Sequence, residues 1–184
     1  MGALIYSSIC SLDGYVADRD GNFDWAAPDE EVHGFVNDRE RPIGTYLFGR
    51  RMYEVMAVWE SAVGNTAPGT ADDFAELWRS ADKIVYSTTL QAVSTSRTRL
   101  EREFDPAAIR ALKASSPRDL SVGGPGLAAC AIRAGLVDDV QLYLVPSVVG
   151  GGTPVLPQDV RLDLELVDEH RFRGGTVFLH YRTR

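Results

Sequence analysis

The chain has 184 residues, 45% hydrophobic and 24% charged, which is long enough for one compact domain that buries roughly 70% of its unfolded surface. Asp and Glu (26) outnumber Lys and Arg (19), and the resulting net charge of -7 repels phosphate backbones and anionic lipid. The composition therefore argues against nucleic-acid binding and against a role at a membrane surface.

Two cysteines, Cys10 and Cys130, lie far apart in apolar stretches and form no C-x-x-C pair. We expect both to be reduced, buried thiols, because neither spacing fits a disulfide scaffold or a structural zinc site. No basic leader precedes the first apolar run, and no segment approaches the ~20 apolar residues that span a bilayer. The expected location is the cytoplasm.

The first half of the chain alternates strand and helix patterns. An apolar, β-branched run over Ala3–Leu12 predicts a buried first strand, which a turn signal ends. A polar loop over residues 18–24 leads to an amphipathic helix over residues 29–40 with an acidic first turn. Thr45–Phe48 predicts a short strand that ends at a glycine, and residues 50–58 predict a second helix.

The alternation continues and then changes near the C-terminus. The predicted elements are a helix behind a capping box at Thr70–Asp73, a strand over Lys83–Ser87, a helix beginning at Asp105-Pro106, a strand over Leu120–Val122, a helix over Leu127–Ala134, a strand-like run over residues 140–150 and a long hairpin around residues 173–175. This order predicts one α/β domain over residues 1–184. Its central sheet should be mostly parallel, with helices on both faces and an antiparallel C-terminal hairpin at one edge.

Three strand ends carry residues that suit an anion. Glycines occupy the turn Gly123-Gly124-Pro125-Gly126-Leu127, where backbone N–H groups can approach a pyrophosphate because no Cβ intervenes. The alternative is a glycine turn that serves only close packing of helix on sheet.

Arginines and hydroxyl groups follow the other two strand ends. Arg50 and Arg51 begin a helix directly after Gly49, where the helix dipole disfavours cations unless an anion is bound. Solvated arginines are the simpler alternative. Ser87 and Thr88 offer hydroxyl groups that suit a phosphate or cap the next element. In open α/β sheets ligands collect at the carboxyl ends of strands, so the three strand ends together favour a nucleotide.

Several short motifs occur in a characteristic order along nearly the whole chain. They are Ser11-Leu12-Asp13-Gly14, Gly49-Arg50-x-x-Tyr53-Glu54, Lys83-Ile84-Val85-x-Ser87, Gly123-Gly124, Gly135-Leu136-Val137-Asp138 and Pro146 with Gly150-Gly151-Gly152. This set resembles the dihydrofolate reductase-like superfamily, specifically stand-alone relatives of the C-terminal reductase domain of the riboflavin-pathway deaminase-reductase. The resemblance implies the three-layer fold of that superfamily.

The resemblance also implies an NADPH-dependent reductase and assigns its cofactor contacts. The nicotinamide contacts would be Ile9, Val16 and Ala17; the pyrophosphate contacts Gly49, Gly123, Gly124, Pro125, Gly126 and Leu127; and the contacts on the 2′-phosphate side Arg50, Arg51 and Ser87, beside Thr88. The family further suggests a cis peptide between the paired glycines. Riboflavin-pathway reductases usually carry Lys and Glu where this chain has Ser7 and Val122, which weakens the expectation of a phosphoribosylaminouracil substrate.

Candidate catalytic carboxylates lie near the first strand and the first helix. Dihydrofolate reductases place a carboxylate after a Trp-x-x-Pro segment, and counting from Trp25 puts Glu30 at that position. An acidic first turn that only stabilises the helix is the alternative. Asp13 is the second candidate and is equally explained as a turn residue. Trp25 and Phe35 could line the slot of a planar substrate.

The leading hypothesis is therefore a reductase that binds NADPH and delivers hydride to a small heterocyclic substrate. The alternative is a nucleotide-binding sensor or scaffold without physiological turnover. No metal is expected, because His33, His170 and His180 share no ligand spacing. The alternating C-terminal strands could expose an edge, which predicts a homodimer.

Overall fold

The computed structural model describes residues 1–62 and 69–184. Its strands are β1 (Leu4–Ser11), β2 (Tyr15–Ala17), β3 (Ile43–Gly49), β4 (Asp82–Tyr86), β5 (Thr98–Glu101), β6 (Asp119–Gly123), β7 (Asp139–Val145), β8 (Thr153–Pro154), β9 (Leu164–Arg171) and β10 (Val177–Thr183). Its α-helices are α1 (Glu30–Glu40), α2 (Arg50–Met56), α3 (Thr70–Ser80), α4 (Pro106–Ser115) and α5 (Pro125–Arg133). Short 3-10 turns cover Asp24–Ala26 and Ala57–Glu60.

Eight strands form one sheet in the order β5-β4-β3-β6-β1-β7-β10-β9. The strands from β5 to β7 are parallel, and β10 and β9 add to β7 as an antiparallel hairpin. This arrangement confirms the predicted fold class. Because the six parallel strands point the same way, their carboxyl ends share one edge of the sheet.

Side chains alternate along each strand between two helical layers. Leu47 of β3 packs in one apolar cluster with Ile109 of α4 and Ile132 of α5. Its neighbour Phe48 packs in another cluster with Trp78 of α3, on the opposite face. Burial of both faces explains why the parallel strands are nearly continuous apolar runs in the sequence.

Several local predictions need correction. The cap of α3 is Gly69 and not Thr70, and the Asp72 carboxylate accepts a hydrogen bond from the Gly69 backbone N–H at 3.2 Å. Helix α5 begins at Pro125, two residues before the predicted start, because proline fits the first helical position. The thiol of Cys10 is buried as expected, whereas Cys130 on α5 is exposed.

The sequence analysis did not predict three of the strands, β2, β5 and β8. β5 is four residues long with one apolar residue, and β2 and β8 form a separate two-stranded sheet of three and two residues. Runs this short carry no periodic pattern, so only tertiary pairing defines them. Within residues 1–62 and 69–184, no helix combines the length and the apolar character needed to cross a bilayer.

Candidate functional site

The carboxyl edge of the sheet brings most of the predicted cofactor contacts together. Along this edge the strands follow the order β4, β3, β6, β1 and β7. Their last residues are Tyr86, Gly49, Gly123, Ser11 and Val145 respectively, and Ser87 and Pro146 directly follow β4 and β7. Four strand spacings separate β4 from β7, which amounts to ~19 Å. The edge therefore presents the three anion-friendly strand ends side by side.

The glycine turn between β6 and α5 is packed tightly against its neighbours. A Cβ on Gly123 would lie 2.7 Å from Phe48 Cε1, and one on Gly124 would lie 3.1 Å from Met52 Cβ. Gly124 also has a φ of 89°, which disfavours any side chain. Packing on β3 and α2 thus explains both glycines, as the alternative interpretation of this turn proposed.

The peptide that joins these glycines does not have the conformation that the family resemblance suggested. Residues 1–62 and 69–184 contain no cis peptide bond, so the Gly123–Gly124 bond is trans. The left-handed conformation of Gly124 makes the turn from β6 into α5 without a cis bond.

The first turn of α5 has the geometry of an anion-binding helix start. No side chain caps it, Pro125 has no N–H, and the Ala128 N–H donates to Gly124 O at 3.0 Å. A Cβ on Gly126 would meet no atom within 4 Å, so the helix surface at this residue is open. These features fit a pyrophosphate, and here packing does not account for the glycine.

Arg50 bridges α2 and the turn after β4. Its Nε donates to Glu54 Oε1 at 2.7 Å, and its Nη1 donates to Thr89 Oγ1 at 3.0 Å. Arg51 is exposed, and within the described residues its side chain makes no hydrogen bond or ion pair. One arginine is therefore held in place, and its neighbour has its donors free for an anion.

The turn after β4 is ordered from two sides. Ser87 Oγ accepts hydrogen bonds from the N–H groups of Thr89 (3.3 Å) and Leu90 (2.9 Å), whereas Thr88 is exposed. Arg102 Nη1 donates to the carbonyls of Ser87 (3.0 Å) and Leu90 (2.6 Å). Sequence reasoning missed Arg102, because its contact depends on the unpredicted strand β5.

Asp13 ties the end of β1 to the glycine-rich loop after β7. Its carboxylate accepts from the backbone N–H groups of Val149 (3.1 Å) and Gly150 (2.8 Å). Hydrogen bonds from the Ser11 hydroxyl and from these two N–H groups hold the pKa of Asp13 below its usual value. The carboxylate is exposed and has a structural partner already.

Val16 and Ala17, the other predicted nicotinamide contacts, lie in β2. This strand pairs with β8 just beyond the loop that Asp13 holds. The carbonyl of Ala17 would lie 2.0 Å from a Cβ on Gly152, so only glycine permits this approach of the two segments. The segment after β1 and the segment after β7 therefore pack together as one unit.

A half-open cavity of about 220 Å³ lies at the β1–β7 end of the edge. It is lined by Ile9, Trp25, Ala26, Ala27, Pro28, Asp29, Val32, Val145, Pro146, Ser147, Gly174 and Thr176. We call this space the substrate cavity. It joins one predicted nicotinamide contact, Ile9, with one predicted substrate contact, Trp25.

The carboxylate in the lining of the substrate cavity is Asp29. Its Oδ1 caps α1 by accepting from the Val32 N–H at 2.9 Å, and a Cβ on Gly174 would lie 2.7 Å from its Oδ2. Asp29 and the next residue, Glu30, are both exposed, but Glu30 lies outside the lining. The Trp-x-x-Pro spacing thus locates the correct turn of the chain, but counting alone does not find the side chain that borders the cavity.

The hairpin turn closes the substrate cavity from the far side. The Glu31 Oε2 accepts from the Arg173 backbone N–H at 3.2 Å, which fastens the turn to the first turn of α1. Phe35 lies deeper under this contact, stacked on His170 at 5.2 Å and edge-on to Phe178 at 5.0 Å. It packs in the aromatic core between α1 and the hairpin and does not line the cavity.

His180 and His33 lie outside the substrate cavity and contact other side chains. His180 Nε2 lies 2.9 Å from Asp139 Oδ1, and His33 packs against Trp59 and Phe74. In the part of the chain that the structure describes, no three His, Cys, Asp or Glu side chains converge as ligands for a metal ion.

Comparison with known proteins finds relatives that match almost the whole chain. The sequence profile of the RibD C-terminal domain matches residues 3–178. An uncharacterized protein of Bacillus subtilis (strain 168), YyaP, is 29% identical over 186 residues, which cover 97% of this chain and 93% of YyaP.

Two solved structures show the same fold. A putative riboflavin biosynthesis protein from Shewanella sp. PV-4 superposes with a TM-score of 0.75 at 21% identity, over 100% of this chain and 99% of that one. A diaminohydroxyphosphoribosylaminopyrimidine deaminase/5-amino-6-(5-phosphoribosylamino)uracil reductase from Thermotoga maritima superposes with a TM-score of 0.68 at 14% identity. The match covers 100% of this chain and 57% of the Thermotoga chain.

Proposed function

Because this chain belongs to the RibD C-terminal domain family, we propose that it is an NADPH-dependent reductase that transfers hydride to a C=N or C=O bond of a small heterocyclic substrate. One observation carries the proposal. Three features follow one another along a single edge of the sheet: the turn from β3 into α2 that carries Arg50 and Arg51 (the arginine-bearing turn), the uncapped start of α5 and the substrate cavity. A phosphorylated dinucleotide has its charged and aromatic groups in the same order.

Each part of this edge has a defined task in the proposal. Arg51 and the held Arg50 would bind the 2′-phosphate, with the Ser87 turn beside them. The N–H groups at the start of α5 would bind the pyrophosphate, and Ile9 would place the nicotinamide against the substrate cavity. Bound NADPH supplies the hydride, and the protein orients the two reactants and excludes water.

Reduction of a C=N or C=O bond also consumes a proton. Asp29 borders the substrate cavity, whereas the predicted catalytic residues Glu30 and Asp13 lie outside its lining. Catalysis by Glu30 or Asp13 stays a prediction that single substitutions test. If Asp13→Asn and Glu30→Gln both keep full turnover, the two residues do not donate the proton.

The proposed activity is tested by following oxidation of NADPH with a panel of pterins, flavin precursors and quinones. Turnover of any of them supports a reductase. Binding of NADPH without turnover of the whole panel supports the alternative, a nucleotide-binding sensor or scaffold. Failure to bind NADPH removes both.

A further inference from the structure

The charge of the substrate cavity restricts the substrates that it can hold. Asp29 is the one charged residue in the lining, and within the described residues no Lys, Arg or His lines the cavity. The uncharged polar side chains in the lining are Trp25, Ser147 and Thr176. A phosphate group placed here would meet a carboxylate and no cation.

Acidic residues also flank the lining residues Asp29 and Trp25 in the sequence. Glu30 and Glu31 follow Asp29 in the first turn of α1, and Asp24 precedes Trp25. The neighbouring cation is Arg173, whose side chain is 93% exposed and whose Nε lies 3.6 Å from Glu31 Oε1. This arginine is outside the lining and is paired with a carboxylate already, so it does not reverse the local potential.

The start of α1 is the other feature that could attract an anion, but it is occupied. Asp29 Oδ1 accepts the Val32 N–H, and the two glutamates of the first turn oppose the positive end of the helix dipole. Asp29 Oδ2 accepts no hydrogen bond from the described residues. It is therefore free to accept hydrogen bonds from N–H groups of a ligand.

The volume and the polarity of the substrate cavity indicate which kind of ligand it can bind. Its volume of about 220 Å³ is below the ~300–1,000 Å³ of usual ligand pockets. The indole N–H of Trp25 already donates to Asn22 O at 3.1 Å, so this ring offers an apolar surface to the ligand. The hydroxyls of Ser147 and Thr176 add a few polar contacts.

We propose that the substrate cavity selects a non-phosphorylated nitrogen heterocycle whose N–H groups donate to Asp29, and that it rejects the phosphorylated form of the same compound. This inference rests on the proposed function, because it concerns the substrate of that reductase. It separates this chain from a reductase that acts on a phosphoribosyl compound, such as the Thermotoga enzyme named above.

The test compares two matched pairs of compounds with the NADP⁺-loaded protein by isothermal titration calorimetry. One pair is 5-amino-6-ribosylaminouracil with and without its 5-phosphate, and the other is 7,8-dihydroneopterin with and without its phosphate. We expect the unphosphorylated member of at least one pair to bind at least tenfold more tightly. Equal affinity, tighter binding of a phosphorylated member or no binding of any of the four compounds overturns the inference.

The source of the selectivity is tested with Asp29→Asn. Asparagine also caps helices, so α1 should remain intact while the charge is removed. The preference for the unphosphorylated compound should shrink severalfold, and it should stay unchanged in Glu76→Gln, which removes an exposed carboxylate on α3. An unchanged preference in Asp29→Asn contradicts the assignment. Absence of NADP⁺ binding would instead defeat the proposed function itself.

Discussion

The carboxylate of Asp13 accepts a hydrogen bond of 2.8 Å from the backbone N–H of Gly150, 137 residues further along the chain. Because the same carboxylate also accepts from the Val149 N–H, it holds the loop whose first residues, Pro146 and Ser147, line the substrate cavity. We expect Asp13→Asn to loosen this loop, since an amide offers one acceptor oxygen where the carboxylate offers two. Hydrogen exchange of the Val149 and Gly150 amides should become at least severalfold faster.

The matched control is Asp20→Asn in the loop after β2. The carboxylate of Asp20 makes no hydrogen bond to any residue that the structure describes. Exchange in the control should equal that of the native protein. Stabilisation of the loop by Asp13 should also depend on pH. Because the pKa of Asp13 is lowered in the folded protein, this stabilisation is complete above the ordinary aspartate pKa and is lost as the pH falls through the lowered value. Equal exchange rates in Asp13→Asn and the native protein would show that the carboxylate does not hold the loop.

The glycines of the β6–α5 turn should respond differently to substitution. Gly124→Ala forces a side chain to a φ of 89° and against Met52, so we expect it to destabilise the protein by about 1–3 kcal/mol. Gly126→Ala places its Cβ in open space in the first turn of a helix and should leave stability unchanged or raise it by up to ~1 kcal/mol. Urea denaturation measures both.

Affinity for NADPH shows whether the β6–α5 turn binds the cofactor or serves packing alone. In Gly126→Ala the added methyl group narrows the space at the start of α5, so affinity should fall although the fold is intact. If Gly126→Ala keeps full affinity, this turn serves packing alone and the pyrophosphate lies elsewhere.

Glu40 predicts an unusual dependence of stability on pH. Burial raises its pKa to about 7, and the neighbouring Tyr46 side chain offsets part of this rise. Since the unfolded chain releases this proton near pH 4.5, the free energy of unfolding should fall as the pH rises from there through 7. The loss is on the order of 3 kcal/mol. Glu40→Gln should flatten the profile, and Glu76→Gln should not; a native profile in Glu40→Gln would refute this assignment.

How far the sequence predicts this molecule depends on the length of the pattern involved. Strands such as β3, buried on both faces, produce long apolar runs, and Asp105-Pro106 marks a helix start; the parallel sheet, its helices and the hairpin follow from such signals. β5 has four residues and no such run. Because β5 was not predicted, the contact of Arg102 with the Ser87 turn was not predicted either. Arg102 directly follows β5 and reaches this turn because β5 pairs with β4.

Side-chain direction is the second limit. Asp29 and Glu30 are neighbours in sequence, and either fits a carboxylate after the Trp-x-x-Pro segment. Both residues are exposed, and only the folded chain shows that Asp29 lines the substrate cavity and Glu30 does not. Similarly, an aromatic residue such as Phe35 fits a ligand slot or a core equally well until the hairpin is seen to cover it.

The homodimer stays a prediction, and β9 is the strand that would mediate it. This strand forms one edge of the sheet, with Leu166 49% and Val167 44% exposed, although a register shift interrupts its pairing with β10. Sedimentation equilibrium at micromolar concentration should give about twice the 20.2 kDa chain mass, and Leu166→Lys should shift the mass towards that of the monomer. A native protein that sediments as a monomer contradicts the prediction.

In the proposed function, Arg50 and Arg51 after β3 recognise the 2′-phosphate of NADPH. Titration with NADPH and with NADH, followed by tryptophan fluorescence, tests it on the native protein and on the double variant Arg50→Ala, Arg51→Ala. We predict that the native protein prefers NADPH at least tenfold and that the double variant binds NADPH only about as tightly as NADH. Binding of neither nucleotide, or an NADPH preference that survives loss of both arginines, would contradict recognition of the 2′-phosphate at this turn.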